Sequence, residues 1–367
     1  MTHLTWHKHP ATALQGDAGL RADWDRLNTA RLDLPFLCSD AVAAALAVFG
    51  NGQEQLLVGQ AQGQTQAMLV LVPDGRLRWR TFQPSQLPLG SWVAASGVSL
   101  PALCHSLIRG PLGLCLVLSI TQVDPLQAPP ADDGPDTRHA HYIDTAWVGI
   151  DGSFDDYWAA RGKNLRQNMR KQRNKLAAEG TATQMRVLTT EAEMAPALAR
   201  YGALEGQGWK AGQGTAIEAD NAQGRFYTRL FEQAARRGEA LVTEYLFNDR
   251  TVAMNLGLLR NGTLVVLKTA YDESVPKALS PAFLLREEEL QRFFAGTQPL
   301  VRRIEYYGKV MDWHTKLTED KRGLYHLTVY RWALLKRLAE GKRASSRPHS
   351  SGALASQNPA SLEAQEA

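Results

Sequence analysis

The stretch RGKNLRQNMRKQRNKL, residues 161–176, carries seven Lys or Arg and no acid. The whole chain has a formal charge of +4, so the remainder sums to 4 − 7 = −3 and the basicity is local. Trp158, Leu165, Met169 and Leu176 are spaced to share one helical face, which leaves Lys163, Arg166, Arg170 and Arg173 on the remaining arc. Exposed helices commonly intersperse Glu to gain i,i+4 pairs. None is present here, so the positive field is available to an anion. The plain alternative is a solvated cationic face without a ligand. No aromatic stacking platform or zinc-finger spacing accompanies the segment, and acids are in excess elsewhere. A discrete phosphate or a polyanionic substrate therefore fits better than nucleic acid.

A second anion feature lies in KTAYDESVPKALSPAFLL, residues 268–285. Ser280 and Pro281 have the character of an N-cap and an N1 residue. The first acid of the helix they open is Glu287, two turns in, so its N-terminus offers N–H groups and partial positive charge without a local carboxylate. Lys277 stands just ahead. Such an end suits a phosphate or pyrophosphate, although many helices begin Ser-Pro without binding one. Around these two features lie the titratable candidates Glu205, Lys210, Lys268, Tyr271, Asp272, Glu305, Tyr307, His314 and Lys316. Lys210 follows Trp209 in a loop containing Gly206, Gly208, Gly212 and Gly214, where mobility over a substrate is one reading and Trp209 as core is another. Strand alternation puts Leu264, Val266, Lys268 and Ala270 on one face; the lysine is then paired, snorkelling or turned to a cleft. Glu305 is either a base or the partner of Arg302 or Arg303 in a surface ion pair. Asp312, His314 and Lys316 alternate as in an extended segment that lines an acceptor site.

The elements that must hold these residues follow from periodicity. A helix is expected over 154–180, ending at Gly180 as a C′ residue, and a second over 191–204. EALVTEYLF, TVAMNLGLL and TLVVLKTAY read as a strand meander closed by NDR and RNG. A helix over 281–295 and the strand LVRRIEYY come next. The first half repeats that order: helices near 22–30 and 39–49, strands EQLLVGQ, TQAMLVLV and RLRWRTF, a helix near 100–108, then LCLVLSI and HYIDTAWVGI. Two similar α/β units in tandem, residues 1–150 and 151–340, account for this repetition. The Pro- and Asp-rich stretch 124–138 reads as a surface loop or domain seam, and the Ser, Ala and Gly-rich 341–367 as a disordered tail.

Four stretches carry a resemblance: FDDYWAARGKNLRQNMRKQRNKL, GWKAGQGTAI, LKTAYDESVPKALSPAFLL and EYYGKVMDWHTK. In order and spacing they resemble the GNAT acetyltransferase superfamily, within it the CelD-type branch associated with cellulose biosynthesis and the Fem-type peptidoglycan aminoacyltransferases. The resemblance implies two tandem GNAT-like folds and direct acyl transfer from acetyl-CoA or another acyl-CoA. It places the pyrophosphate at Lys277, Ser280, Pro281, Ala282 and Phe283, and the acceptor near Trp209, Lys210, Asp272, Lys316, Arg166, Arg170 and Arg173. The family pattern has Ser-Pro-Gly where this chain has Ser280-Pro281-Ala282, which adds a methyl where backbone approaches phosphate. Acyl transfer needs a base near neutrality, a donor for the oxyanion and an acid for the thiolate. The candidates for that work are Glu305, Tyr271, Lys268 and His314. The family's associations suggest an amino-sugar, envelope or exopolysaccharide acceptor, modified on nitrogen or oxygen. Two alternatives stay open: the same fold using aminoacyl-tRNA, and an inactive GNAT-like module serving as a scaffold.

Composition limits the remaining classes. An apolar share of 44 % and a charged share of 21 % over 367 residues describe an ordinary globular chain of about two domains. No apolar h-region stands at the N-terminus and no run reaches membrane-span length, so a cytoplasmic protein is expected. Cys38, Cys104 and Cys115 lack metal-ligand spacing and read as buried thiols of a reducing compartment. His139 and His141 can share a strand face but have no third ligand nearby in sequence, so no metal is expected.

Overall fold

The computed structural model describes residues 4–207, 217–218 and 220–345. In chain order the first half contains β1 (Thr5–Pro10), α1 (Ala13–Gly16), α2 (Ala18–Thr29), α3 (Ser39–Phe49), β2 (Gln55–Ala61), β3 (Gln64–Pro73), β4 (Arg78–Thr81), β5 (Trp92–Ala94), α4 (Leu100–Arg109), β6 (Val117–Val123) and β7 (Thr137–Gly149). The second half contains α5 (Phe154–Ala159), α6 (Lys163–Ala178), β8 (Thr183–Leu188), α7 (Glu191–Gln207), α8 (Ala222–Arg236), β9 (Ala240–Phe247), β10 (Arg250–Arg260), β11 (Thr263–Tyr271), α9 (Pro281–Phe294), β12 (Arg303–Glu305), α10 (Asp312–Leu317), β13 (Lys321–Tyr330) and α11 (Ala333–Ser345).

All strands join one mixed sheet of order β1-β2-β3-β4-β6-β13-β7-β12-β11-β10-β9-β8, with β5 added beside β3. The fold is mixed α/β with the repeated order expected from sequence. In each half a meander leads through a helix to a strand that returns parallel to the last meander strand: β4 with β6, and β11 with β12. The final strands are exchanged. β13, last in the chain, lies against β6, whereas β7, last of the first half, lies against β12. β7 and β13 pair antiparallel at the centre and weld the halves into one sheet.

The core follows the sheet's two faces. One continuous cluster gathers α2 and α3 of the first half with α7 and α8 of the second over the same face. On the other face the halves have separate cores, one under α4 and one under α6 and α9. Cys38, Cys104 and Cys115 are buried free thiols.

Several expectations are corrected. The helix over 154–180 is two helices, because the chain breaks at Ala160–Gly162 and α6 restarts with Gly162 as its cap. Gly180 does take the positive φ of a C′ residue. The strand expected over 300–307 pairs only at Arg303–Glu305. The alternating Asp312, His314 and Lys316 lie on helix α10, not on an extended segment. The stretch 124–138 is not wholly surface: Asp124, Gln127 and Ala128 are buried. The expected tail begins inside α11, which runs to Ser345; 346–367 fall outside the described residues. Helices α1, α8 and α11 and strands β1, β5, β8 and β13 are not among the elements expected from sequence.

Candidate functional site

Two long helices begin at one cleft. The cleft holds about 470 Å³ between the start of α6 (Arg161, Gly162, Asn164), the loop into α9 (Lys277, Ser280, Phe283) and α10 (Thr315, Lys316). Neither α6 nor α9 has a side-chain cap bond or an acid in its first turn, although Ser280 and Pro281 occupy the expected N-cap and first-turn positions. Their amide dipoles therefore converge without a neutralising carboxylate at either end. Arg161, Lys277 and Lys316 add charge, opposed on the lining only by Glu319. Phe283 forms part of the wall, and the Lys316 ammonium lies 5.3 Å from its ring. Ala282 is buried in the first turn of α9.

The arginines singled out from sequence are distributed differently. The face α6 turns to the cleft is amide-rich, with Asn164, Asn168 and Gln172 beside Leu165 and Met169. Arg166 and Arg170 are exposed and do not line it. Arg173 pairs with Glu287 at 2.6 Å and Glu288 at 3.1 Å on α9. Burial works against its charge, but the two carboxylates more than offset this and raise its pKa. It fastens α6 to α9, a contact that hydrophobic periodicity does not reveal.

Behind the cleft the sheet parts. β11 and β12 pair only over Thr263–Val265 and Arg303–Glu305. Within β11 the register slips: Lys268 faces Leu256 and Val266 faces Gly257, which leaves Leu267 as an extra residue. This β-bulge corrects the alternation expected from sequence. Leu264 and Val266 join the core beneath α9, while Ala270 joins the core beneath α7. Lys268 turns to the α7 side, where its ammonium lies 2.8 Å from Glu205 and over the rings of Tyr201 and Tyr227. Glu205 also accepts from the Ile217 N–H at 3.0 Å. Gly202, one turn earlier on α7, makes this approach possible, since any Cβ there would strike the Ile217 carbonyl. Of the options read from sequence, pairing is the one the structure shows for Lys268. Trp209 and Lys210, from the Gly-rich loop between α7 and α8, lie outside the described residues.

Asp272 and His314 are buried and bonded within the structure. Asp272 is buried at the end of β11, accepts from the Ser274 N–H at 2.9 Å and pairs with Arg250. Burial opposes its charge, but Ser274 and Arg250 outweigh it and hold the carboxyl below its usual range. It shapes the loop that leads to Lys277. Tyr271, beside it, is partly exposed. His314 is buried on α10, stacked on Trp313 at 3.5 Å, and its Nδ1 accepts from the Met311 N–H at 2.9 Å. Burial, helped by nearby Arg286, pushes it down to about 3, so the ring is neutral near pH 7 and a weak proton acceptor.

Glu305 is buried rather than a surface partner. It bonds Arg322 at 2.9 Å and Arg303 at 2.7 Å, and burial raises its pKa despite both cations. Arg322 bridges onward to buried Asp124 at 2.7 Å, which also accepts from Tyr307 at 3.0 Å. Asp124 follows β6, Arg322 lies on β13 and Glu305 on β12, so the network spans the seam between the halves. His139 and His141 each bond an aspartate, Asp133 and Asp144. Among the described residues no three His, Cys, Asp or Glu side chains gather as metal ligands, and no helix is long and apolar enough to cross a membrane.

Comparison with known proteins places the family signal over this site. Residues 163–331 match the family model described as an acetyltransferase (GNAT) domain, a span from the start of α6 to just past β13. No curated protein matches the chain. Among solved structures, FemX is 9 % identical with a TM-score of 0.56, over 87 % of this chain and 98 % of that one. The C-terminal domain of a candidate lysylphosphatidylglycerol synthetase from Agrobacterium fabrum is 14 % identical with a TM-score of 0.51, over 88 % of this chain and 96 % of that one. A conserved protein of unknown function from Bacteroides thetaiotaomicron is 13 % identical with the same TM-score, over 90 % of this chain and 99 % of that one. Identities this low establish a shared fold.

Proposed function

We propose that the protein is an acyl-CoA-dependent N- or O-acyltransferase whose donor site is the cleft at the starts of α6 and α9. The observation that carries this reading is the convergence of two uncapped helix N-termini with Arg161, Lys277 and Lys316, at the start of and within the segment 163–331 that matches a GNAT acetyltransferase domain. A CoA pyrophosphate bound at Lys277, Ser280, Pro281, Ala282 and Phe283 would receive amide donors and flanking cations. Ala in place of Gly is compatible, because position 282 lies inside the first helical turn.

The pantetheine arm would then pass into the gap where β11 and β12 part. At the bulge, Leu267 has no partner in the β10 register, and its backbone N–H is our candidate for polarising the thioester carbonyl. On the α7 side the Glu205–Lys268 pair faces the same strand; with an amine or hydroxyl acceptor there, Glu205 would take the proton and Lys268 would stabilise the charge that follows. Tyr271, at the end of β11, is our candidate for returning a proton to the departing thiolate. Glu305 and His314 take positioning roles in this scheme. We place the acceptor among amino sugars or envelope and exopolysaccharide precursors, approached near Trp209, Lys210 and Lys316. We assign the protein to the cytoplasm and take 1–150 and 151–340 as its two units.

Titration with acetyl-CoA, longer acyl-CoAs and free CoA, read by calorimetry and thermal shift, tests the proposal. Micromolar binding by wild type that is lost in Lys277→Ala supports it; binding by none of these ligands overturns it. A second reading, with aminoacyl-tRNA as donor, draws on Lys163, Arg166, Arg170 and Lys171, which are exposed on α6 and have no carboxylate partner among the described residues. Binding of tRNA that falls steeply with salt and is abolished by Arg166→Gln with Arg170→Gln would favour it.

A further inference from the structure

Five of the nine large apolar side chains exposed among the described residues stand at one end of three neighbouring strands. Leu77 is 38 % exposed just before β4, Leu114 is 58 % exposed before β6, and Trp332, Leu334 and Leu338 are 52, 63 and 56 % exposed after β13. β4, β6 and β13 are consecutive in the sheet, with Arg78 opposite Val117 and Val117 opposite Tyr330. The Leu116 N–H donates to Leu77 at 2.8 Å and the Arg331 N–H to Leu116 at 2.9 Å. The Arg331 guanidinium donates to the carbonyls of Ile108 at 2.7 Å and Gly113 at 2.9 Å, which fixes the loop carrying Leu114 against the start of α11. The patch is therefore built by the fold from three distant segments.

Its rim is cationic. The stretches 74–79, 109–116 and 331–341 contain six basic residues (Arg76, Arg78, Arg109, Arg331, Lys336, Arg337) and two acids, Asp74 and Glu340. With Asp133, which pairs with Lys336, the balance is 6 − 3 = +3. Asp74 reaches Arg78 at 3.5 Å and Arg80 at 3.4 Å, and buried Lys336 is shared by Asp133 at 3.6 Å and Glu340 at 3.7 Å, so the outward charge is carried by arginines. Arg76, Arg109 and Arg337 are exposed and have no carboxylate partner among the described residues. Neither cleft described for the molecule is lined by the apolar residues; they protrude singly from turns and a helix.

We infer that this corner docks the protein on an anionic lipid surface. Protruding Trp and Leu tips enter the boundary between headgroups and acyl chains, and the arginines around them meet lipid phosphate. Charge complementarity selects the occupant: Arg76, Arg109 and Arg337, exposed and without a carboxylate partner among the described residues, fit a sheet of negative headgroups. An apolar protein partner would leave those arginines desolvated and unpaired. The inference does not depend on the acyl-transfer reading, since the patch lies on β4, β6 and β13 while the cleft lies at α6, α9 and α10.

Sedimentation of the full chain with two vesicle preparations tests it: phosphatidylcholine alone, and phosphatidylcholine with one-third phosphatidylglycerol. Wild type should sediment with the anionic vesicles and stay free of the neutral ones. Trp332→Ser with Leu334→Ser and Leu338→Ser should lower that affinity by about tenfold or more with an unchanged thermal melt, since each apolar tip adds to insertion. Arg76→Gln with Arg109→Gln and Arg337→Gln should weaken binding and flatten its salt dependence. Equal binding to both vesicles, binding to neither, or unaltered binding by the two variants overturns the proposal. A wild-type dimer that the serine variant converts to monomer, without vesicle binding, would identify the patch as a protein interface instead.

Discussion

Helices α4 and α9 occupy equivalent places in the two halves, each following a meander and preceding a strand parallel to it. Each begins with Ser and carries Pro in its first turn. The first-half end is closed. Ser99 caps α4 by accepting from the Ala102 N–H. Thr81 and Thr121 bond across the β4–β6 gap at 2.7 Å, and the loop 82–91 packs Phe82, Leu87 and Leu89 into the core. The second-half end is open: Ser280 makes no cap bond, and cations and a cleft stand in front of it. One topology thus serves as scaffold in one half and as candidate donor site in the other. A few side chains make the difference.

Experiments that break this contrast can be ordered by expected effect. Arg322→Ala should be the most damaging, because it leaves buried Asp124 without a cation and Glu305 with Arg303 alone; a loss of about 3–5 kcal/mol in urea unfolding is expected. Ser280→Asp should place a carboxylate where the donor phosphate is proposed to bind and weaken CoA affinity by about tenfold to a hundredfold in calorimetry. Ser99→Asp should leave that affinity unaltered. Lys268→Met should cut turnover with little change in the KM for acyl-CoA, as expected of a residue on the acceptor side; a matching rise in KM would remove it from that role.

Ser99→Ala should cost about 1 kcal/mol and Ser280→Ala close to none, since only the first hydroxyl caps a helix. A separate test is a pH slope. His314 is neutral when folded, with a pKa near 3, and would take up a proton when unfolded at about 6.5. Its share of stability is present above pH 6.5 and is lost as pH falls toward 3. His314→Asn should flatten that part of the stability profile in thermal melts between pH 4 and 7.

Much of the frame was legible from residues alone. Periodicity located α3, α4, α6, α7, α9 and both meanders, because amphipathic spacing and turn residues act locally. Ser280-Pro281 and the lack of early acid marked α9 as an open N-terminus for the same reason. The pairing of Arg173 was not legible because charge alone does not say which side of a helix meets a partner: its carboxylates, Glu287 and Glu288, are 114 and 115 residues away. Lys268 was placed on the wrong face because one extra residue, Leu267, reverses a period of two. The burial of Glu305 escaped because its partner Arg322 and the linked Asp124 come from other strands.

By itself the sequence determined local matters: which stretches are helical, where a helix begins without a carboxylate, where charge accumulates, and the doubled order of elements. These depend on neighbours within a turn or a hairpin. Only the tertiary structure decided the exchange of β7 and β13, the facing of two helix ends across one cleft, the pairing of Lys268 with Glu205 and the joining of Leu77, Leu114 and Trp332 into one patch. Each depends on which distant strands become adjacent, and that choice is made by burying the whole apolar pattern at once rather than by any segment alone.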